Sequence, residues 1–297
     1  MQKVLITGAN GLLGQNLTRL LVEDGKYEVI ATGRGTDRLC EDGYTYYELD
    51  ITDNEAVSHL IGEIKPDFVV HTAAMTQVDD CEREPEKANL INIAGTFHII
   101  DACRLVDAFL LYISTDFVFN GETGLLTEEE NVSPVNYYGQ TKLAAEKLVQ
   151  ESKLKWAIAR TVLVYGQVKD MSRSNIILWV KKNLEAGKPI KVVDDQWRTP
   201  TLALDLAKGC ELILDKKAEG IFHISGKDYL RPYDIAIRTA EYFGLDKSLI
   251  SPTNASQFVE VGKRPLKTGF NIRKAQTQLG YEPHSFEEGI RIMQEGF

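Results

Sequence analysis

Seven residues near the start, Gly8-Ala9-Asn10-Gly11-Leu12-Leu13-Gly14, restrict what this chain can fold into more than any other feature. They follow directly on the apolar run Val4-Leu5-Ile6-Thr7. They lead into a segment with apolar residues at 12, 13, 17, 20 and 21, the spacing of one helix face. A strand that turns through glycines into a helix opens a parallel βαβ unit. Gly8 permits the tight turn, and Gly11 lets backbone approach a pyrophosphate. The free N–H groups of the helix start carry about half a positive charge there. Gly14 allows the helix to pack closely on the strand. Glycines at this spacing are common by chance. Their position straight after the first strand makes the pattern informative.

The rest of the first half keeps the same rhythm. Strands are expected at Val29–Ala31, Tyr46–Leu49, Phe68–Val70, Phe109–Ile113 and Trp156–Ala159. Helices are expected over Asn54–Ile64, Pro85–Leu105 and Tyr137–Gln150. Continuous apolar strands alternating with helices imply a doubly wound parallel sheet of Rossmann type, covered on both faces. After Gly166 the rhythm changes, with helices over Asn175–Ala186, Asp205–Leu214 and Pro232–Phe243, strands at Ile190–Val193 and Ile221–Ser225, and one or two further helices in the tail. We therefore expect a dinucleotide-binding unit over 1–166 and a smaller α/β substrate-binding region over 167–297. A segment near 191–214 is expected to cross back to the first unit.

With 34 Lys plus Arg against 43 Asp plus Glu, the net charge is −9. Such a body has no general pull on nucleic acid or anionic lipid, so neither is an expected partner and any anionic ligand needs a local site. No apolar run approaches the roughly 18 residues of a membrane span. The start, with its immediate strand and glycine turn, does not read as a signal peptide. Cys40, Cys81, Cys103 and Cys210 are widely spaced, as in a chain with reduced thiols. A cytoplasmic protein is expected.

Two polar features bear on cofactor choice. The second strand is followed by Thr32-Gly33-Arg34, with no carboxylate before Asp37. An acidic residue there would accept a ribose 2′-OH, whereas Arg34 could clamp a 2′-phosphate or stand as a solvated surface arginine. NADPH is expected to be preferred modestly, with NADH still usable. Asp50, beside Ile51, faces the adenine in one reading and caps the turn before Thr52 in the other.

Tyr138 and Lys142 lie four apart on an expected helix and so share a face. A nearby ammonium would bring a phenol, with its ordinary pKa near 10, toward useful acid–base strength. Ser114-Thr115, at the end of the fifth strand, is where a hydroxyl would complete the group.

These residues, in this order, resemble the extended short-chain dehydrogenase/reductases that act on nucleotide sugars, most closely their dTDP-4-dehydrorhamnose reductase branch. The likeness runs over essentially the whole chain. It is carried by Gly8–Gly14, His71–Asp79, Ser114–Gly121, Tyr138–Lys142, Arg160-Thr161, Val164–Gly166, Val193–Gln196 and Arg264-Pro265. It implies Thr115, Tyr138 and Lys142 as the catalytic set. It implies cofactor contacts from Gly8, Asn10, Gly11, Leu12, Leu13, Gly14, Arg34, Asp50, Ile51, Ala73, Ala74 and Thr76, as well as from Tyr138 and Lys142. Thr115, Phe117, Leu163, Trp197, Arg198 and Arg264 fall on the substrate side. The implied reaction is NADPH-dependent reduction of the C4 keto group of a nucleotide-linked 6-deoxy sugar, first among them dTDP-4-dehydro-β-L-rhamnose. A homodimer is the assembly to test. The branch also contains non-catalytic, cofactor-binding regulatory subunits, and its neighbours include epimerases.

Departures from the pattern are few. Arg198 follows Trp197 where a small residue is usual, and Leu163 precedes Val164 where tryptophan is usual. Dehydratases carry an Asp-Glu pair after the hydroxyl residue. Here Asp116-Phe117 follows, and elimination lacks its second carboxylate. Trp197 and Arg198 fit a nucleotide clamp or loop packing equally. Arg264 fits a pyrophosphate contact or a surface turn. The acidic run Asp79, Asp80, Glu82 and Glu84 reads as a solvated helix start. The five histidines show no ligand spacing, so no metal is expected.

Overall fold

The computed structural model describes residues 1–170, 174–257 and 261–295. Its strands in chain order are β1 (Gln2–Thr7), β2 (Tyr27–Gly33), β3 (Tyr44–Glu48), β4 (Phe68–His71), β5 (Phe109–Thr115), β6 (Trp156–Thr161), β7 (Val164–Tyr165), β8 (Ile190–Val193), β9 (Thr201–Leu202), β10 (Gly220–His223) and β11 (Ile250–Thr253). The main helices are α1 (Leu12–Asp24), α2 (Asn54–Ile64), α3 (Val78–Arg83), α4 (Pro85–Asn89), α5 (Gly95–Val106), α6 (Tyr137–Gln150), α7 (Ile176–Glu185), α8 (Ala203–Lys216), α9 (Pro232–Tyr242), α10 (Arg273–Leu279) and α11 (Phe286–Glu295).

Seven strands form one parallel sheet in the order β10-β6-β5-β4-β1-β2-β3. Successive strand residues serve opposite cores, which is why the strands read as unbroken apolar runs. Val4 and Ile6 join Leu17 and Leu21 of α1 and Leu206 and Ile213 of α8. Leu5, between them, joins Val57 and Ile61 of α2 and Ile99 of α5 on the other face. The order steps outward from β1 in both directions, so the carboxyl ends of β1 and β4 flank a topological switch point, where α/β sheets bind ligands.

The second half returns to this sheet twice. Helix α8 lies against α1, and β10 pairs with β6 to become the outer strand. The remainder forms its own small core. In it β8 pairs with β11 under α7 and α9, through Val180, Leu184, Ile190, Val192, Ala236, Ala240 and Ile250. Among the described residues no helix is long and apolar enough to cross a membrane.

One expected helix differs. The helix over Pro85–Leu105 is interrupted by a π-helical turn at Leu90–Ala94. That extra residue per turn carries Asn92 inward, where its amide binds Met75 and Thr141. The segment 267–270 forms no strand of the sheets. Only single bridges form there, Trp197 to Lys267 and Leu126 to Phe270, because the segment threads between loops rather than along a sheet edge.

Candidate active site

The glycine turn sits at the carboxyl end of β1. Gly8 has φ +70°, and a Cβ there would meet Thr72 Oγ1 at 2.7 Å and the Ala73 nitrogen at 2.8 Å. A Cβ on Gly14 would fall 2.4 Å from the Gly8 carbonyl oxygen. Both positions therefore need glycine for close backbone approach. Gly11 caps α1 without any side-chain hydrogen bond, and the first turn holds no acidic residue. The leading N–H groups of α1, beside half-buried Leu12 and Leu13, are available to an anion. Ala73 and Ala74 follow β4 half-buried beside this turn, the Ala73 N–H reaching Thr7 Oγ1 at 3.3 Å, and Thr76 is exposed. The turn, the uncapped helix and the small residues opposite make a cradle that fits a dinucleotide pyrophosphate.

Asn10 holds the neighbouring loop rather than facing the cradle. Its Nδ2 donates to the Arg34 and Thr36 carbonyls and to Tyr46 Oη, and its Oδ1 accepts from the Arg38 N–H. The loop so ordered leaves Arg34 exposed and Arg38 half-buried, a second cation the sequence reading passed over. Asp50 accepts from Thr52 N–H and Oγ1 at 2.9 and 2.8 Å. Those bonds, with Arg34 nearby, hold its carboxyl below the usual range against the opposing effect of burial. Ile51 is buried against Gly95 in the core.

Thr115, Tyr138 and Lys142 converge at the carboxyl end of β5. Asn136 caps α6, its Oδ1 accepting from the Gly139 N–H at 2.8 Å. Gly139 is required because a Cβ there would lie 2.1 Å from the Phe117 carbonyl oxygen. That approach brings the Tyr138 ring against Phe117, centroids 6.0 Å apart. Burial raises the Tyr138 phenol above its ordinary value, while the Thr115 hydroxyl within reach works the other way. The phenol is thus protonated throughout the physiological range, a standing proton donor; the expected pull from Lys142 does not govern it. Lys142 donates to the Ile113 carbonyl at 2.7 Å and lies over the Tyr112 ring at 4.1 Å. Burial brings its pKa down to about 7, opposed by Glu146 and Cys81. Asn92 was missed by sequence reading. It ties Met75 to Thr141, the residue before Lys142, and no local pattern in the sequence signals it.

The substrate-side residues divide. Phe117 is half-buried between Tyr138 and Arg198. Leu163, at φ +37° and 37% exposed, is a bulky side chain held in a strained conformation between β6 and β7. Trp197 stacks on Tyr229 at 5.1 Å. Arg198 is buried. Its Nη1 donates to the carbonyls of Trp197 and Leu266, and its Nη2 to Pro265 O and Gln196 Oε1. Arg264 binds Asp79 at 2.6 Å and the Gly262 carbonyl at 2.7 Å, so part of the acidic run is ion-paired. Among the described residues no cluster of His, Cys, Asp and Glu is arranged to hold a metal.

The comparison with known proteins meets this geometry over nearly its full length. The family model described as RmlD substrate binding domain matches residues 1–296. The chain belongs to that family. Its fold and family are those of NAD(P)-dependent oxidoreductases of the extended short-chain type. It is 31% identical to a dTDP-4-dehydrorhamnose reductase crystal structure from Clostridium acetobutylicum, with 99% of each chain covered and a TM-score of 0.88. The dTDP-4-dehydrorhamnose reductase from Bacillus anthracis, solved in complex with NADP, is 29% identical with a TM-score of 0.86 and 99% of each chain covered. Methionine adenosyltransferase 2 subunit beta of Mus musculus is 32% identical over 98% of this chain and 86% of its own length.

Proposed function

We propose that the protein reduces the C4 keto group of a nucleotide-linked 6-deoxy sugar, dTDP-4-dehydro-β-L-rhamnose being the first candidate, with NADPH preferred over NADH. The carrying observation is the meeting of a buried, protonated phenol, the Thr115 hydroxyl and Lys142 at the sheet edge that also bears the glycine cradle. In this reading 1–166, with the returning α8 and β10, form the dinucleotide-binding unit, and the rest serves the substrate.

The cradle of Gly8, Gly11 and Gly14 holds the pyrophosphate through backbone N–H groups, and Arg34 reaches the 2′-phosphate. When bound, the cofactor supplies hydride to the carbonyl carbon. Tyr138 delivers its proton to the carbonyl oxygen as the alcohol forms, general acid catalysis of the ordinary kind. Thr115 stands beside the phenol and limits the orientation of the reacting oxygen. Lys142, half-protonated near neutrality, holds the ribose side and restores the Tyr138 proton. Phe117 and Leu163 exclude water from the sugar. Arg264 reaches the nucleotide diphosphate after exchange with Asp79, whereas Arg198 shapes the loop beneath Trp197.

A panel of nucleotide-4-keto sugars assayed by loss of NADPH absorbance, with product identification, tests this reading. The likeness to a methionine adenosyltransferase subunit favours a second one, a cofactor-binding subunit without turnover. Tight NADPH binding with no oxidation across the panel would select it. The homodimer is tested by sedimentation equilibrium.

A further inference from the structure

We propose that Asp116 is a positioning residue that orients the Thr115 hydroxyl, and that Thr268 and Arg198 hold Asp116 in place for it. The inference rests on the reductase reading. It adds a polar link from the catalytic edge of the sheet to the two loop segments, 196–198 and 265–268, on the substrate side.

Asp116 opens a single 3-10 turn directly after β5 and is 3% exposed. A buried carboxylate is costly unless its oxygens are hydrogen-bonded or paired. Here each oxygen has its own donor. Oδ1 accepts from Thr115 Oγ1 at 3.1 Å, and Oδ2 accepts from Thr268 Oγ1. Arg198 Nε stands 3.9 Å from Oδ2. Thr268 is itself fully buried and lies 152 residues away along the chain. Its backbone N–H binds the Trp197 carbonyl at 3.1 Å. The Arg198 guanidinium also grips the carbonyls of Pro265 and Leu266. Both partners of Asp116 are thus set by the same pair of crossing segments.

The consequence for Thr115 follows from counting its one proton and two lone pairs. One lone pair takes the Phe117 N–H at 3.2 Å. The proton is directed at Asp116. These two bonds fix Thr115 Oγ1 beside the Tyr138 phenol, with which it is in hydrogen-bond reach. Asp116 thus sets the place of that oxygen through Thr115 rather than by acting on the reacting groups itself. Arg198 and Tyr138 are the charged and titratable groups that act on or feel this carboxylate. Burial raises its pKa and Arg198 opposes the rise.

The test compares wild type with Asp116→Asn, Thr268→Val and Thr268→Ser in NADPH-dependent reduction of dTDP-4-dehydro-β-L-rhamnose across pH 5–9. Misplacement of a reacting group costs about a hundredfold in rate. We expect kcat to fall roughly ten- to a hundredfold in Asp116→Asn and Thr268→Val, with the sugar KM within about twofold. Thr268→Ser, which keeps the hydroxyl, restores most of it. The acid limb of the kcat profile shifts in Asp116→Asn alone. Thr268→Val preserves side-chain shape and keeps the test valid should Asp116→Asn fail to fold. Normal kcat in both variants, a loss confined to KM, or no rescue by serine overturns the inference while leaving the reductase reading intact. A wild type that binds NADPH yet reduces no nucleotide-4-keto sugar overturns both.

Discussion

Glu146 and Arg160 close a two-pronged ion pair between α6 and β6, at 2.9 and 2.7 Å, with both side chains buried. Glu146 lies one turn beyond Lys142 on the same helix face, so this pair sets the position of the helix that carries Tyr138 and Lys142. Removing one partner leaves a bare charge in the core. Glu146→Gln is expected to cost about 3–5 kcal/mol of stability in urea unfolding, because Arg160 loses its compensation. A loss below about 1 kcal/mol would show that water or another group takes over.

Lys142 predicts a pH dependence of stability. Its folded pKa of about 7 lies below that of the unfolded chain, near 10.4. The unfolded state therefore binds more protons between those values, and stability rises with pH through that window. Below pH 7 both states are protonated and the burial cost is fully present. The slope from this group is at most about 1.4 kcal/mol per pH unit. Denaturant midpoints for Lys142→Met at pH 6, 7.5 and 9 should lack that slope. Parallel curves for wild type and variant would refute it.

Tyr138→Phe should lower turnover on the correct sugar by about 10²–10⁴-fold, the usual worth of a general acid. NADPH affinity by calorimetry should stay near wild type, since the cradle lies on α1. Near-normal turnover would remove Tyr138 from the chemistry.

The two glycines of the α1 turn should fail differently. A methyl group on Gly14 meets the Gly8 oxygen at 2.4 Å and the Ala9 Cα at 2.5 Å, both backbone atoms that cannot yield. Gly14→Ala is expected to destabilise the fold by about 1–3 kcal/mol. A Cβ on Gly11 has only the Gly8 oxygen, at 3.2 Å. Gly11→Val should leave the melting temperature within a few degrees and weaken NADPH. Equal NADPH affinity would mean the turn holds no phosphate.

Arg34 is exposed, and a charge-assisted bond from it to a 2′-phosphate is worth about tenfold in affinity after solvent screening. Arg34→Ala should weaken NADPH by that factor and leave NADH unchanged, read by fluorescence titration. Equal losses for both cofactors would assign Arg34 to the adenosine or the loop. A preserved NADPH preference would point to Arg38.

Much of this protein is legible in one dimension. The α1 turn, the bounds of α2 and α6, and the shared face of Tyr138 and Lys142 follow from local rules. Glycine placement, apolar periodicity and caps such as Asn136 act within a few residues of themselves. Tertiary structure decided the rest. No periodicity announces that β10 completes the sheet beside β6, that Asn92 reaches Thr141, or that Arg264 pairs with Asp79 across 185 residues. Burial, which exists only once the chain has closed on itself, raises the Tyr138 phenol and lowers the Lys142 ammonium. It also gives Arg198, which in sequence fits a clamp or loop packing equally, the carbonyl bonds of a loop strut. Residue types and spacing selected the chemistry. Desolvation and contacts between distant segments set the protonation and orientation with which those residues meet a ligand.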